Sequence, residues 1–243
     1  MVGHSKLQLI RTASSVLSTM IAATPAQATA APSPAVSRAK TGLRVAGIGL
    51  ILSSILYIIG PTNVVIVWTI FVVGSALVFS GRSAWPAHKG SVAAGFGIII
   101  VGYIIGIVAA ILNIRVGNVP ITELTAVDVA AFRNVFIVTF VAGAVTEIGV
   151  LVLPWRLASG GSKGLIVAGA GLSIVGLLTE MVLALGVLAG VTGGSLTTNQ
   201  RNALVTSLII GISIIIVGGI IGGVGYFLAR RRLPAAEPAK AAT

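Results

Sequence analysis

The chain has 243 residues, of which 56% are hydrophobic and 9% are charged, whereas a soluble domain has about 25% charged residues. This balance argues against a water-soluble globular protein and favours an integral membrane protein. The absence of cysteine excludes disulfides, thiolate metal sites and cysteine nucleophiles. The formal net charge of +11 would suggest nucleic acid in a soluble protein. Here the basic residues flank apolar segments, so we expect contact with anionic lipids and no specific nucleic acid binding.

Residues 1–43 form a basic segment that contains no acidic residue. Apolar residues between positions 7 and 21 recur at helical spacing, which predicts an amphipathic helix on the membrane surface. Residues 30–35, with two prolines, predict a linker. Residues 26–28 (Ala-Gln-Ala) have the small-x-small form of a signal-peptidase site. The preceding stretch is only weakly apolar, and cleavage would leave basic residues on the translocated side, so we expect the segment to be retained.

A transmembrane helix needs about 20 apolar residues, and the chain contains six apolar runs of suitable length. The runs are 44–60, 62–81, 94–114, 134–155, 165–190 and 203–229. Because lipid offers no partners to backbone groups, such runs should be helices. We therefore predict an all-α integral membrane protein whose six-helix transmembrane domain covers 44–229. The Gly-Pro step at Gly60 predicts a tight hairpin between the first two spans. Residues 230–243 are predicted to form a tail that is basic at its start and then disordered.

The Lys and Arg residues are distributed unevenly across the predicted topology. Thirteen of the 16 lie on one side of the spans, and only Arg115, Arg133 and Arg201 lie on the other. The positive-inside rule then predicts a multi-pass protein of the cell membrane with both termini in the cytoplasm. The cytoplasmic face would contact anionic lipids.

The three odd-numbered spans begin with the same pattern, G-x-x-x-A-G-x-G, starting at Gly42, Gly90 and Gly164. Because these spans run in the same direction, the pattern predicts three helical hairpins repeated in parallel. The alternative is that any closely packed helix start recruits small residues. Glycines in these and other spans are expected to let helix backbones approach closely: Gly47, Gly95, Gly102, Gly106, Gly169, Gly176, Gly218 and Gly222.

Two of the five acidic residues, Glu147 and Glu180, lie inside apolar spans, and each follows a threonine, Thr146 and Thr179. A carboxylate at this depth costs at least a few kcal/mol, and no Lys or Arg lies at a similar depth. Each is therefore expected to be neutral, or ionised only beside water or a bound cation. Small and polar residues of spans 3 to 5 should meet around them inside the bundle. The two acids are staggered by about 12 Å in depth: either a proton passes between them through water or Tyr103, or they are two unrelated contacts.

The sequence contains no enzyme motif, no paired-carboxylate metal motif and no soluble domain for an active site. We therefore expect no cofactor or metal and favour a protein that is not an enzyme, with an enzyme acting on lipid as an open alternative. Both histidines lie outside the spans, which excludes bis-histidine haem within the membrane. The leading hypothesis is a small transporter or channel-like protein with a proton- or cation-coupled site at the two glutamates. The alternative is a non-catalytic scaffold or accessory subunit that packs against membrane-protein partners, or against copies of itself. A transporter needs a polar cavity at the glutamates, whereas a scaffold needs them sealed between helices.

Overall fold

The computed structural model describes residues 32–57, 61–116, 126–191 and 196–233, and all regular structure in them is helical. Two 3-10 turns, Arg82–Ala84 and Pro86–His88, precede the third long helix. The six long helices are α1 (Pro34–Leu56), α2 (Pro61–Ser80), α3 (Lys89–Val116), α4 (Ala126–Val152), α5 (Gly161–Ala189) and α6 (Thr198–Arg231). All six are long and apolar enough to cross a membrane, which confirms, for the described residues, the prediction of an all-helical fold with six helices of this length. The predicted surface helix within 7–21, the 26–28 site and the tail from 234 lie outside the described residues.

The helices form a closed ring in which each packs against its chain neighbours and α6 packs against α1. Neighbouring helices are antiparallel: in the first pair Gly42 faces Val78 and Gly49 faces Phe71. Consequently α1, α3 and α5 run in one direction and α2, α4 and α6 return. We call the end of the ring where α1, α3 and α5 begin the basic end, since the basic residues Arg38, Lys40, Arg44, Arg82, Lys89, Arg156, Lys163, Arg230 and Arg231 lie there.

Each long helix begins before its predicted apolar run, and in two of them polar residues cap the start. The Ser33 hydroxyl accepts a hydrogen bond from the Val36 amide at 3.4 Å, and Pro34 occupies the first turn of α1. Residues 34–43, predicted to lie before the first span, are therefore helical. At α6, Thr197 and Gln200 form a capping box that starts the helix at Thr198, five residues before the predicted start.

Glycines set the spacing inside each hairpin. Two glycines seven residues apart on the outgoing helix, and one on the returning helix, lie so close to the partner that an added Cβ would meet an atom at under 3.0 Å. These are Gly42, Gly49 and Gly74 in the first hairpin, Gly95, Gly102 and Gly149 in the second, and Gly169, Gly176 and Gly218 in the third. The sequence pattern aligns Gly47 with Gly95 and Gly169, but Gly47 faces α6 instead of α2. The repeat therefore stays a prediction.

All eight glycines predicted to mediate helix packing lie against a neighbouring helix. Besides those in the hairpins, Gly106 faces the ring of Trp68, and Gly222 lies near Gly169. The outward faces instead carry large aliphatic side chains such as Ile104, Val182 and Ile209, each more than half exposed. A surface of this kind suits lipid rather than water.

The interior has two apolar clusters with polar groups between them. The larger cluster occupies the basic end and includes Leu43, Phe71, Trp85 and Tyr226. The smaller occupies the opposite end of α4, α5 and α6, around Ala184. The layer between them holds both intramembrane glutamates, and it is the candidate site.

Candidate functional site

One face of α4 carries the polar groups of the site. Thr139, Gly143, Thr146 and Glu147 recur at helical spacing, which places them on the same side of the helix. Gly143 has no side chain, so Leu177 of α5 reaches the α4 backbone there. This close approach brings the polar faces of α4 and α5 together inside the ring.

A cavity of about 40 Å³ lies at this level of the ring. Since a buried water needs about 10–15 Å³, the cavity has room for about three. Glu147 is its only acidic residue, and no Lys, Arg or His is among the described residues that line it. The wall consists of Leu50, Ser53, Ser54, Tyr57, Trp68, Phe71, Thr139, Gly143, Thr146, Glu147, Ser173, Leu177 and Ile215. Five of the six helices contribute, so the cavity belongs to the ring as a whole.

Glu147 is half-buried and opens onto the cavity. The Ser173 hydroxyl of α5 forms a hydrogen bond with its carboxyl group. Ser173 can take this position because Gly218 of α6 leaves room for the Ser173 backbone behind it. The carboxyl group is thereby oriented across the α4–α5 interface, and its second oxygen stays available to a guest in the cavity.

Glu180 is more enclosed, with only 7% of its surface exposed. Its carboxylate oxygen Oε2 accepts a hydrogen bond from the Tyr57 hydroxyl at 3.2 Å. Gly211 of α6 permits this placement, since any side chain there would meet the Cβ atom of Glu180. A narrow void of about 10 Å³ lies beside the carboxyl group, and Tyr57, Thr139 and Leu177 line both this void and the larger cavity.

The two carboxyl groups are separated mainly along the bundle axis. Ser173, the partner of Glu147, precedes Glu180 by seven residues on α5, which corresponds to about 10 Å of helix rise. A proton or ion moving between them would pass Tyr57, which borders both spaces. The arrangement is therefore two acidic positions in series, with a tyrosine between them.

The basic side of the cavity is closed by aromatic packing. The Tyr226 side chain is fully buried, and its hydroxyl donates to the carbonyl oxygen of Val150 on α4 at 2.9 Å. Its ring meets Phe71 edge to face, with 6.2 Å between centroids. Val150 lies one turn from Glu147, so this contact packs between the cavity and the basic end.

Only some of the predicted site residues lie at the cavity. Thr146 is buried in the cavity wall, and its hydroxyl donates to the Ala142 carbonyl. Thr179 lies on the outer face of α5, where it borders a shallow surface groove. Tyr103 pairs with the Thr69 hydroxyl at 2.8 Å, on the α2–α3 side of the ring. The tyrosine that bonds a glutamate is Tyr57.

Sequence reasoning missed the contribution of α1. Ser53, Ser54 and Tyr57 follow one another at helical spacing near the end of an apolar helix, and this pattern could have indicated a polar face. Tyrosines at the ends of spans usually lie at the membrane interface, so Tyr57 alone did not indicate a site. Trp68, too deep for that interface, lines the cavity.

No group of three or more His, Cys, Asp or Glu residues that could hold a metal ion occurs in the part of the chain that the structure describes. Comparisons with protein-family models, with curated proteins and with solved structures find no match to this chain. The function of the protein is therefore inferred from the geometry of the cavity and its carboxyl groups.

Proposed function

We propose that this protein moves protons or small cations across the membrane, with Glu147 and Glu180 on the pathway. The observation that carries the proposal is the cavity at Glu147, whose largely apolar wall also holds hydroxyl side chains, inside the ring of six helices. A carboxyl group at this depth is costly, and helix packing alone does not require an adjoining space for water. Glu180 and Tyr57 extend the polar groups about 10 Å towards the end opposite the basic end.

The packing of Tyr226 and Phe71 on the basic side of the cavity fits a transporter better than an open channel. With Tyr226 and Phe71 packed on the basic side of the cavity, transport requires these contacts to open. Alternating exposure of one site to the two sides is the usual mechanism of secondary transporters. The two carboxyl groups would then bind and release their charge in turn as the helices move.

The test is flux in proteoliposomes that contain the full-length protein. Glu147→Gln and Glu180→Gln keep the shape of the side chain and remove its ability to carry a charge. We expect each variant to lower proton or cation flux about tenfold or more, since an intramembrane acid on a pathway is seldom replaceable. Asp128→Asn is the matched control, because Asp128 lies in the first turn of α4 and lines neither cavity. Unchanged flux in both glutamate variants would refute the proposal.

A second function, as a scaffold or accessory subunit, is favoured by one observation. Gly97 of α3 and Gly171 of α5 have open space where a Cβ would stand. Glycine in a helix interior costs about 1 kcal/mol relative to alanine, and a partner helix packed there would offset that cost. A stoichiometric protein partner retained through purification, together with wild-type flux in both glutamate variants, would favour this function over transport.

We also propose that the basic end faces the cytoplasm, in the cell membrane, and contacts anionic lipid headgroups there. Lys163 lies over the ring of Trp155 at 3.8 Å, and Arg82 over Phe79 at 3.6 Å. Such paired basic and aromatic residues suit the membrane interface. Both ends of the six-helix domain would then lie in the cytoplasm.

A further inference from the structure

Three hydroxyls in the wall of the cavity present hydrogen-bond acceptors rather than donors. The hydroxyls of Ser53, Ser54 and Thr146 each donate to a carbonyl one turn earlier in their own helix, at 2.8 to 3.0 Å. A hydroxyl has one hydrogen and two lone pairs, so these oxygens retain only lone pairs for a guest. The hydroxyl hydrogen of Ser173 is likewise directed at Glu147. This set of oxygens therefore suits a group that binds to oxygen lone pairs, and the wall also includes Thr139 and Trp68.

The charge of the cavity limits that guest to a single positive charge. Glu147 is the one acidic residue in the wall, and no basic side chain is among the described residues that line it. A monovalent cation would neutralise the ionised carboxylate, which makes burial of both charges tolerable. A divalent cation would leave one positive charge uncompensated, and Ca²⁺ requires six to eight oxygen ligands.

The volume of the cavity limits the hydration of that cation. At about 40 Å³ and about 10–15 Å³ for each water, an ion could keep only one or two waters. It must replace the rest of its hydration shell with protein oxygens. The serine and threonine hydroxyls on α1 and α4 are oxygens of this kind on opposite sides of the space.

We propose that the cavity binds one partly dehydrated monovalent cation, of the size of Na⁺ or K⁺, between the carboxylate of Glu147 and the hydroxyl oxygens of Ser53, Ser54 and Thr146. The inference rests on the proposed function and names the class of ion at its site. Trp68 and Phe71 complete the wall, and their ring faces carry the partial negative charge that cations prefer.

The test is equilibrium binding of radiolabelled Na⁺ and of a radiolabelled K⁺ analogue to the purified full-length protein in detergent. Wild type should bind one of them saturably, at one ion per chain. Glu147→Gln should abolish binding. Ser54→Ala and Thr146→Val each remove one oxygen and should weaken affinity by about tenfold. Far-ultraviolet circular dichroism and gel filtration verify the fold of each variant.

Ser75→Ala is the matched control. Ser75 is fully buried on α2 and donates to the Phe71 carbonyl at 2.8 Å, as the cavity hydroxyls do within their own helices, but it does not line the cavity. Its affinity should equal that of wild type. An equal loss in the Ser75 and Ser54 variants would overturn the site, as would full binding by Glu147→Gln. If Glu147→Gln does not fold, the serine and threonine variants still decide the outcome.

Binding and flux together separate this inference from the proposed function. Proton flux that depends on Glu147, without saturable binding of Na⁺ or the K⁺ analogue, would overturn the cation site and leave the transport proposal intact. Saturable binding that depends on Glu147, without flux of any ion, would support the site and overturn transport. Binding and flux of the same ion, both lost in Glu147→Gln, would support both.

Discussion

The hydroxyl of Tyr57 gives the enclosed carboxyl group of Glu180 its hydrogen bond. We predict that Tyr57→Phe and Glu180→Gln are energetically coupled, because the first removes the donor of this bond and the second replaces its carboxyl acceptor with an amide oxygen. Coupling energies of polar pairs in membrane proteins average about 0.6 kcal/mol and reach about 1.7 kcal/mol. A double-mutant cycle on the free energy of unfolding in mixed micelles measures this value.

Tyr103→Phe is the control for that cycle. It removes the same atom from a tyrosine whose hydroxyl pairs with Thr69 and not with a glutamate. Its effect should add to that of Glu180→Gln, with a coupling energy near zero. Equal coupling for the two tyrosines would show that Tyr57 has no specific role at Glu180.

At the residue scale, the sequence was sufficient to find the acids but not their partners. Glu147 and Glu180 stand out because a charge in an apolar run is costly. The Tyr57–Glu180 bond joins residues 123 positions apart and depends on which helices become neighbours. Tyr103 was chosen from its proximity to the small residues of α3, but the α3 helix directs it towards Thr69 on α2.

At the element scale, two glycines of α5 differ in the space around them, so their alanine variants can be compared directly. A Cβ on Gly176 would lie 2.8 Å from the backbone nitrogen of Ile215, whereas a Cβ on Gly171 would meet nothing within 4 Å. Gly176→Ala should therefore lower the free energy of unfolding by about 1–3 kcal/mol through overpacking. Gly171→Ala should be neutral, or stabilising by up to about 1 kcal/mol. Thermal unfolding of the purified protein distinguishes them, and equal effects would contradict the observed packing.

Hydropathy identified the six helices but not where they begin. Lipid requires about 20 apolar residues, and that length locates the centre of each span well. The polar caps lie outside any apolar window: Ser33 starts α1 ten residues before the predicted span, and Thr197 starts α6 at Thr198. Capping signals, rather than hydropathy, would have been needed to predict the first residues of α1 and α6.

At the scale of the whole molecule, the ring closes where α6 meets α1. Gly223 of α6 lies against Ile51 of α1, and Gly219 lies against Ser54. Chain order indicates that consecutive helices are neighbours, but it does not indicate that the last helix packs on the first. The cavity depends on this closure, since both α1 and α6 contribute to its wall. The sequence therefore pointed to α4 and α5 but not to α1, and α3, which the sequence also indicated, contributes no described residue to the wall of either cavity.

The orientation of the ring can be tested directly because the chain contains no cysteine. Ser83→Cys places one thiol at the basic end, and Asn199→Cys places one at the opposite end, both at exposed positions. If the basic end faces the cytoplasm, a membrane-impermeant maleimide should label intact cells only through Asn199→Cys. Both variants should be labelled after permeabilisation, which shows that each thiol is reactive. Labelling of Ser83→Cys alone in intact cells would reverse the orientation, and would turn the sealed Tyr226 side of the cavity towards the outside.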